Sequence, residues 1–495
     1  MAQVFHFARG ENLENKITRK CSLNRIAGVS TSPETIILGA TVLTSTEPGL
    51  PDYPPLRPTT ADAGGIAHFL DDHAIGIADG AILWIKPTAE VTQAEKDAAE
   101  LIDGMGHVAI PGLINCHTHS AMTMFRNSAE DVVTSSWFND HIWPMEVNMT
   151  PRDVRLGAQL AVGEMLLAGV TTFADHYFDM DEIAAVVEES GARGLLAQTY
   201  FSSQGESGIA KSAEFAEKWN GAAGGRITTA MGPHAPYTVD DADLVKTAEH
   251  ARRLGIRTHI HTSESPGQTT SSLARRGVTP VQVLNDTGIL ETGVLIAHGA
   301  GIIEDDLRWL TPYSDRVAVA CCDKVYLKHA QSGTTPVKML HDAGITVGIG
   351  TDGPGSHNTL DILESMRFLS LTEKDRHNDA TWLTSQHALD LATRQSAAAI
   401  GQTGRLGAIL PGYRADIALI DIRGPHMQPM HDLAAALVLS VKSGDVATVL
   451  VDGKVVVRDH KLTTMDLQPA IDELNQRVPQ LRDKSHGTRI QDYAP

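Results

Sequence analysis

Hydrophobic and polar positions change rhythm twice along the chain. Residues 35–44 form a β-branched run around Gly39, which predicts a pair of strands. Residues 74–78 and 81–85 are apolar and flank Asp79-Gly80, a strong hairpin signal. From about residue 108 the pattern changes. Strand-length apolar runs at 108–114, 171–174, 193–200, 227–230, 257–261, 293–298, 317–320 and 345–350 alternate with longer segments. Helices are expected at 152–169, 181–191, 240–254, 336–343 and 385–399. This alternation predicts an α/β fold, a (β/α)8 TIM-type barrel. After Gly404 the β pattern returns at 415–420, 446–451 and 454–457, the last two joined by Asp452-Gly453.

The two β-rich ends flank the barrel, and the economical arrangement folds them together into one small β-sandwich domain. The expected organisation has three parts. Residues 1–107 form the N-terminal part of the sandwich with an extra arm, 108–404 the barrel, and 405–495 the C-terminal part and a tail. Residues 1–33 read as a polar arm, and 46–65, with five prolines, as a loop. The tail, 466–495, reads as helical at first and then polar.

Composition narrows the partners. The 495 residues carry a net charge of −19, from 41 basic and 60 acidic side chains. No basic excess is available to neutralise phosphates, so neither nucleic acid nor an anionic membrane is the expected partner. The four cysteines, Cys21, Cys116, Cys321 and Cys322, form no CxxC pair, which favours a reducing compartment. With no signal peptide and no apolar span of about 18 residues in view, a cytoplasmic protein is expected.

The chemistry centres on Pro111-Gly-Leu-Ile-Asn-Cys-His-Thr-His119. Residues i and i+2 of a strand share a face, so His117 and His119 project into one space and suit one metal ion. A His-x-His pair alone is a weak signal, but other polar residues fall at later strand ends. His259 and His261 lie at the end of the fifth strand, His298 ends the sixth, and Asp352 follows the glycine-rich run 348–350. Barrel enzymes place their sites at these ends. Histidines plus one carboxylate, open to water, describe a catalytic metal site. Each residue also has a bland reading, as a satisfied core histidine or a plain turn, and the set outweighs its members.

The motifs PGLINCHTHSAM, GVTTFADHY, GPHAPY, HIHTSES, GTDGPGSHNTLD and PGYRADIALID resemble the amidohydrolase superfamily over roughly residues 35–465. They look most like its branch of S-adenosylhomocysteine/methylthioadenosine deaminases, triazine hydrolases and guanine-type deaminases. The resemblance implies a barrel with a β-sandwich built from both ends. It implies metal ligands His117, His119, His261 and Asp352, with His259 behind them. It makes Glu264 the proton shuttle and His298 a contact to the metal-bound water or the substrate, and in some relatives to the metal itself. His234 and Glu146 match substrate-contact positions, the latter facing ribose hydroxyls in adenosine-type relatives. No bridging lysine stands at the fourth-strand position, placed here at 198–200, so one divalent metal is expected, zinc first and iron second.

The implied reaction is replacement of an exocyclic amino group on a nitrogen heterocycle (purine, pterin or triazine) by metal-activated hydroxide. Asp352 accepts the proton and Glu264 protonates the ring nitrogen. The sequence also departs from the branch. Its seventh strand ends in Ala320-Cys-Cys-Asp-Lys-Val-Tyr-Leu-Lys328, where relatives carry a histidine and Ser-Asn. Lys324 there is a candidate substrate contact, with a solvated loop lysine as the alternative. Gln198, standing near a position where some of those deaminases have arginine, weakens a homocysteine-type substrate. Trp137, Trp143, Phe125 and Phe178 are candidate walls for a flat ring, with core packing as the alternative. The competing activities are ring dechlorination and a non-catalytic barrel scaffold. A homo-oligomer, dimer or tetramer, is expected by resemblance alone.

Overall fold

The computed structural model describes residues 32–45 and 67–483. The arm up to Thr31, the proline-rich loop and the tail beyond Asp483 lie outside the described residues.

Two sheets organise the chain. The first five strands are β1 (Thr35–Ser45), β2 (His68–Ala78), β3 (Ala81–Pro87), β4 (Glu100–Asp103) and β5 (His107–Pro111). The barrel strands follow: β6 (Leu113–Thr118), β7 (Val170–Tyr177), β8 (Arg193–Tyr200) and β9 (Ile227–Pro233). They continue with β10 (Arg257–Thr262), β11 (Val294–His298), β12 (Ala318–Cys321) and β13 (Thr346–Ile349). The chain then returns to the first sheet with β14 (Ile417–Asp421), β15 (Val446–Val451), β16 (Lys454–Arg458) and β17 (Lys461–Leu462).

β6 to β13 pair parallel in sequence order, as right-handed strand–helix–strand units require. The ring closes where the amides of Thr351 and Asp352 donate to the His117 carbonyl at 3.1 and 2.9 Å. Closure demands glycine: a Cβ at Gly348 would lie 2.5 Å from Cys116 Sγ, and one at Gly350 only 3.0 Å from His117 Cβ. The glycine-rich run therefore presses the eighth strand onto the first, which brings Asp352 to the histidine pair.

The mixed sheet contains the other nine strands, in the order β17-β16-β15-β14-β5-β1-β2-β3, with β4 paired to β1. The expected sandwich is thus one continuous sheet turned over its own core. Ile77 and Ile82 from one end pack with Ile417, Leu419 and Leu450 from the other. Residues 35–44 are one strand rather than two; Gly39, at φ +73°, interrupts its register without ending it.

The run that begins at 108 also divides differently from expectation. β5 pairs with β1 and β14 in the mixed sheet, and the barrel begins only at Leu113. Gly112 makes the transition, because a Cβ there would meet Thr171 Oγ1 at 2.2 Å.

Helices cover the barrel, among them Pro151–Leu167, Met180–Ser190, Glu206–Trp219, Asp241–Leu254 and Ile362–His377. The first starts on a reciprocal cap between Thr150 and Asp153, with proline in its first turn. Arg477, on the C-terminal helix Gln468–Leu481, grips Asp153 with contacts of 2.5 and 2.9 Å and ties the tail to the barrel. No helix among the described residues is long and apolar enough to cross a membrane.

A buried charge cluster joins the two sheets. Arg193, at the start of β8, donates to Asp416 at 2.9 and 3.0 Å and to Asp452 at 2.6 Å. The Arg193 and Asp416 side chains are each 4% exposed. Removing one partner leaves a buried charge uncompensated, so Arg193→Met is expected to cost about 3–5 kcal/mol. Denaturant titration checks this, and a loss below about 1 kcal/mol would contradict it.

Candidate active site

The C-terminal ends of the barrel strands converge on one open cavity. β6 delivers His119, β7 delivers His176 and Tyr177, and β8 leads to Thr199 and Phe201. His234 follows β9, His261 and Glu264 come from β10 and its loop, and His298 ends β11. Asp352 lies three residues past the end of β13, and Trp137, Phe138 and Glu146 reach in from the segment after β6. The backbone is strained at three of these strand ends. Ser263, His298 and Asp352 have φ of +50°, +71° and +61°, which non-glycine residues seldom adopt.

The donor atoms are arranged for a cation. His119 Nδ1 lies 2.5 Å from the His176 carbonyl and His261 Nδ1 lies 2.9 Å from the His234 carbonyl. Carbonyls only accept, so both Nδ1 atoms carry hydrogen and both Nε2 atoms present lone pairs. Those two Nε2 atoms face each other at 3.2 Å. Asp352 Oδ1 lies 3.2 Å from His119 Nε2 and 3.7 Å from His117 Nε2. His117 Nε2 is buried with no hydrogen-bond partner, and its Nδ1 rests 3.0 Å from His259 Nε2. A cation among these atoms removes the repulsion between lone pairs and satisfies the orphaned nitrogen. The residues therefore fit a metal ion.

His176 lies in the same cluster, its ring centroid 4.9 Å from that of His261. It is differently committed. Its Nε2 donates to the Pro233 carbonyl at 3.2 Å, and its Nδ1 accepts from the Thr199 hydroxyl at 3.0 Å. Both nitrogens are occupied, so it serves as a wall.

Burial and crowding hold most of these rings neutral. His117 and His261 sit well below the ordinary histidine range, through desolvation first and neighbouring imidazoles second. His234 and His259 are pushed down to about 3 for the same reasons. At His119 desolvation also opposes charge, but the Asp352 carboxylate outweighs it and moves the ring upward. The unfolded chain protonates its histidines at about pH 6.5. It therefore binds more protons than the folded chain below that value, and stability falls as pH drops from about 6.5 toward 3. The Tm of metal-free protein is expected to decline steadily between pH 7 and pH 4. A constant Tm over that interval would contradict this balance.

The remaining expected residues divide. Glu264 faces the cavity and accepts from the Tyr237 hydroxyl at 3.0 Å. Glu146 accepts from the Tyr177 hydroxyl at 2.5 Å, and burial raises its pKa while that hydrogen bond opposes the rise. Trp137 lines the cavity and anchors its indole nitrogen to the Gly355 carbonyl at 3.1 Å. Phe178 lines it too, whereas Phe125 and Trp143 are buried in packing.

Lys324 is a correction. It does not line the cavity; its Nζ pairs with Glu364 at 2.7 Å and Thr359 at 3.2 Å. Gln198 also stands away from the cavity, buried and accepting from the Met180 amide at 3.0 Å. Residues 198–200 also belong to the third barrel strand, not the fourth. The fourth is Ile227–Pro233, and it too carries no lysine.

His176, Tyr177, Phe201 and Tyr237 were not singled out from the sequence. The first two stand in the Asp175-His-Tyr end of β7, the same strand-end position that identified the first pair. The seventh-strand loop serves from behind, where the Tyr326 and Thr335 hydroxyls approach the His298 carbonyl at 3.3 and 2.6 Å.

A family model described as the amidohydrolase family matches residues 108–456. A 5-methylthioadenosine/S-adenosylhomocysteine deaminase of Pelotomaculum thermopropionicum is 41% identical over 412 residues, covering 83% of this chain and 94% of its own. A 5′-deoxyadenosine deaminase of Methanosarcina mazei is 37% identical, covering 79% and 91%. Among solved structures, an adenosine deaminase from Xanthomonas campestris with bound zinc superposes with a TM-score of 0.82 at 29% identity, covering 91% of this chain and 99% of its own. A zinc complex of atrazine chlorohydrolase from Arthrobacter aurescens reaches 0.77 at 24% identity, covering 90% and 100%, a likeness of fold.

Proposed function

The chain belongs to the amidohydrolase family, and from that premise we propose that it is a metal-dependent aminohydrolase of aminopurine nucleosides. One observation carries the reading: two imidazole lone pairs 3.2 Å apart, with a carboxylate beside them, at the floor of a cavity walled by aromatic side chains. The deaminase names of the similar curated proteins supply the substrate class.

His117, His119, His261 and Asp352 would hold one divalent ion, with zinc proposed from the zinc-bound adenosine deaminase structure. Such an ion supplies Lewis acidity and brings the ionisation of a water near neutral pH. The other steps belong to side chains. Asp352 takes the proton of the attacking water. His298 orients that water, its backbone held by Tyr326 and Thr335. Glu264 places a proton on the ring nitrogen, which makes the adjacent carbon electrophilic. The water oxygen bonds to that carbon, Asp352 passes its proton to the amino nitrogen, the carbon–nitrogen bond breaks and ammonia leaves, and the remaining hydroxyl proton returns to Glu264 as the carbonyl forms. Glu146 is assigned to sugar hydroxyls, and His234 and Trp137 to the ring.

The test is ammonia release by the zinc-loaded protein from adenosine, 5′-deoxyadenosine, 5′-methylthioadenosine, guanine, a pterin and a triazine. Turnover of the adenine nucleosides, at kcat/KM values of about 10⁴ M⁻¹s⁻¹ or above, is expected. Turnover confined to the pterin or triazine would overturn the nucleoside assignment, and no turnover would favour a scaffold.

A further inference from the structure

The curated relatives are named for two substrates that differ in charge. The methylthio end of one is neutral and apolar, whereas the homocysteine end of the other carries an ammonium and a carboxylate. We infer that this cavity selects nucleosides with an uncharged group at the 5′ carbon and disfavours those ending in an amino acid. The inference rests on the deaminase reading above.

The walls carry the argument. Met122, Trp137, Phe138, Phe178 and Phe201 present apolar surface to the cavity. Phe178 and Phe201 stack at 5.8 Å, and Phe201 covers His234 at 4.6 Å, so one side is a continuous aromatic face. The ionisable groups other than histidine and tyrosine on the described walls are carboxylates: Glu146, Glu264 and Asp352.

The lysines of the seventh-strand loop are spent elsewhere. Lys324 pairs with Glu364 at 2.7 Å. Lys328 pairs with Glu130 and with the Asn358 side chain, both at 2.8 Å. Gln198 is turned into the protein, its oxygen held by the Met180 amide and its nitrogen 3.1 Å from the Thr199 carbonyl.

A zwitterionic tail entering this space must desolvate both ends. The described walls offer its carboxylate aromatic faces and no lysine or arginine partner. A thioether or methyl tail loses no hydration worth keeping and gains apolar contact. The discrimination is therefore one of charge rather than length.

The experiment compares kcat/KM of the zinc-loaded enzyme for 5′-methylthioadenosine, 5′-butylthioadenosine and S-adenosylhomocysteine. The butylthio compound supplies a neutral tail of comparable reach. Both thioethers are expected within about tenfold of each other and about 10²-fold above the homocysteine compound. An S-adenosylhomocysteine value within threefold of the methylthio value would overturn the inference and leave the deaminase reading standing. A butylthio value as low as that of S-adenosylhomocysteine would make length the determinant and also overturn it. Failure to release ammonia from any of the three, or from adenosine, would overturn the deaminase reading and this inference with it.

Phe178→Arg adds a second check by placing a cation on the aromatic face. It is expected to shift the ratio toward S-adenosylhomocysteine by about tenfold, chiefly through KM, while Phe178→Leu leaves the ratio unchanged. Equal ratios in the two variants would count against a charge-based wall.

Discussion

Asp352→Asn is expected to lower turnover by about 10²–10⁴-fold, the range lost with a positioned proton acceptor. Asparagine keeps the size of the side chain, and its carbonyl can still accept one of the two bonds that Gly353 N and Ser356 Oγ donate, at 2.7 and 2.6 Å. It removes the charge and the capacity to take a proton, together with the second of those bonds. The charge and the proton capacity are specific to the carboxylate as the structure presents it. Burial on its own would raise the pKa of Asp352, but with no cation bound, hydrogen bonding and charge from a doubly protonated His119, charge from His298 and the Ser356 hydroxyl together hold it below the ordinary carboxylate range. The group is thus an anion throughout the working pH range and faces His119 Nε2 at 3.2 Å. Metal content measured beside kcat and KM separates its two proposed roles. A variant that retains zinc yet turns over slowly supports proton acceptance. A variant that loses zinc and recovers full activity in excess zinc would show that the side chain acts as a ligand alone. Wild-type kcat with wild-type zinc content and no excess zinc added would remove Asp352 from the mechanism.

The parts of this site that were legible in the sequence share one property: backbone geometry alone fixes where they point. His117 and His119 are two residues apart on a strand, and His261, His298 and Asp352 sit at or just past the ends of parallel strands. Period and strand order then suffice to bring them together. Lys324 shows where such reasoning stops. A lysine on a loop is placed by its partner, and Glu364 lies forty residues along the chain, on a helix that the apolar pattern did not announce. Gln198 is placed by the strand itself: alternation along β8 turns it away from the cavity, between Ala197 and the cavity-lining Thr199. The change from one sheet to the other was placed too early because the apolar run across β5 and β6 is nearly continuous. Only Gly112, through its closeness to Thr171, marks the junction. The mixed sheet's shared core, to which the N-terminal part gives Ile77 and the C-terminal part Leu450, joins residues far apart in the chain, which no local pattern encodes.

Glu264→Gln is the sharper test of chemistry, because Glu264 stands outside the cluster of candidate ligand atoms. Glutamine preserves the length of the side chain and can still accept from the Tyr237 hydroxyl, which approaches Oε1 at 3.0 Å. It cannot deliver a proton to a ring nitrogen and take one back within a turnover. A fall in kcat of about 10²–10⁴-fold is expected, with zinc content unchanged and KM altered little. Tyr237→Phe provides the internal scale. It removes one hydrogen bond to the carboxyl group, worth about 0.5–3 kcal/mol, and so costs about 2–10²-fold if that bond sets the carboxyl position. It leaves the proton-carrying atom in place. Proton shuttling therefore requires Glu264→Gln to be the more severe of the two and to flatten the limb of the kcat–pH profile that reports the shuttle. If the two variants lose the same factor and keep the wild-type pH profile, Glu264 only positions the ring, and the proton reaches the ring nitrogen from another donor in the cavity. His298, oriented from behind by Tyr326 and Thr335, is the residue the geometry would then put forward.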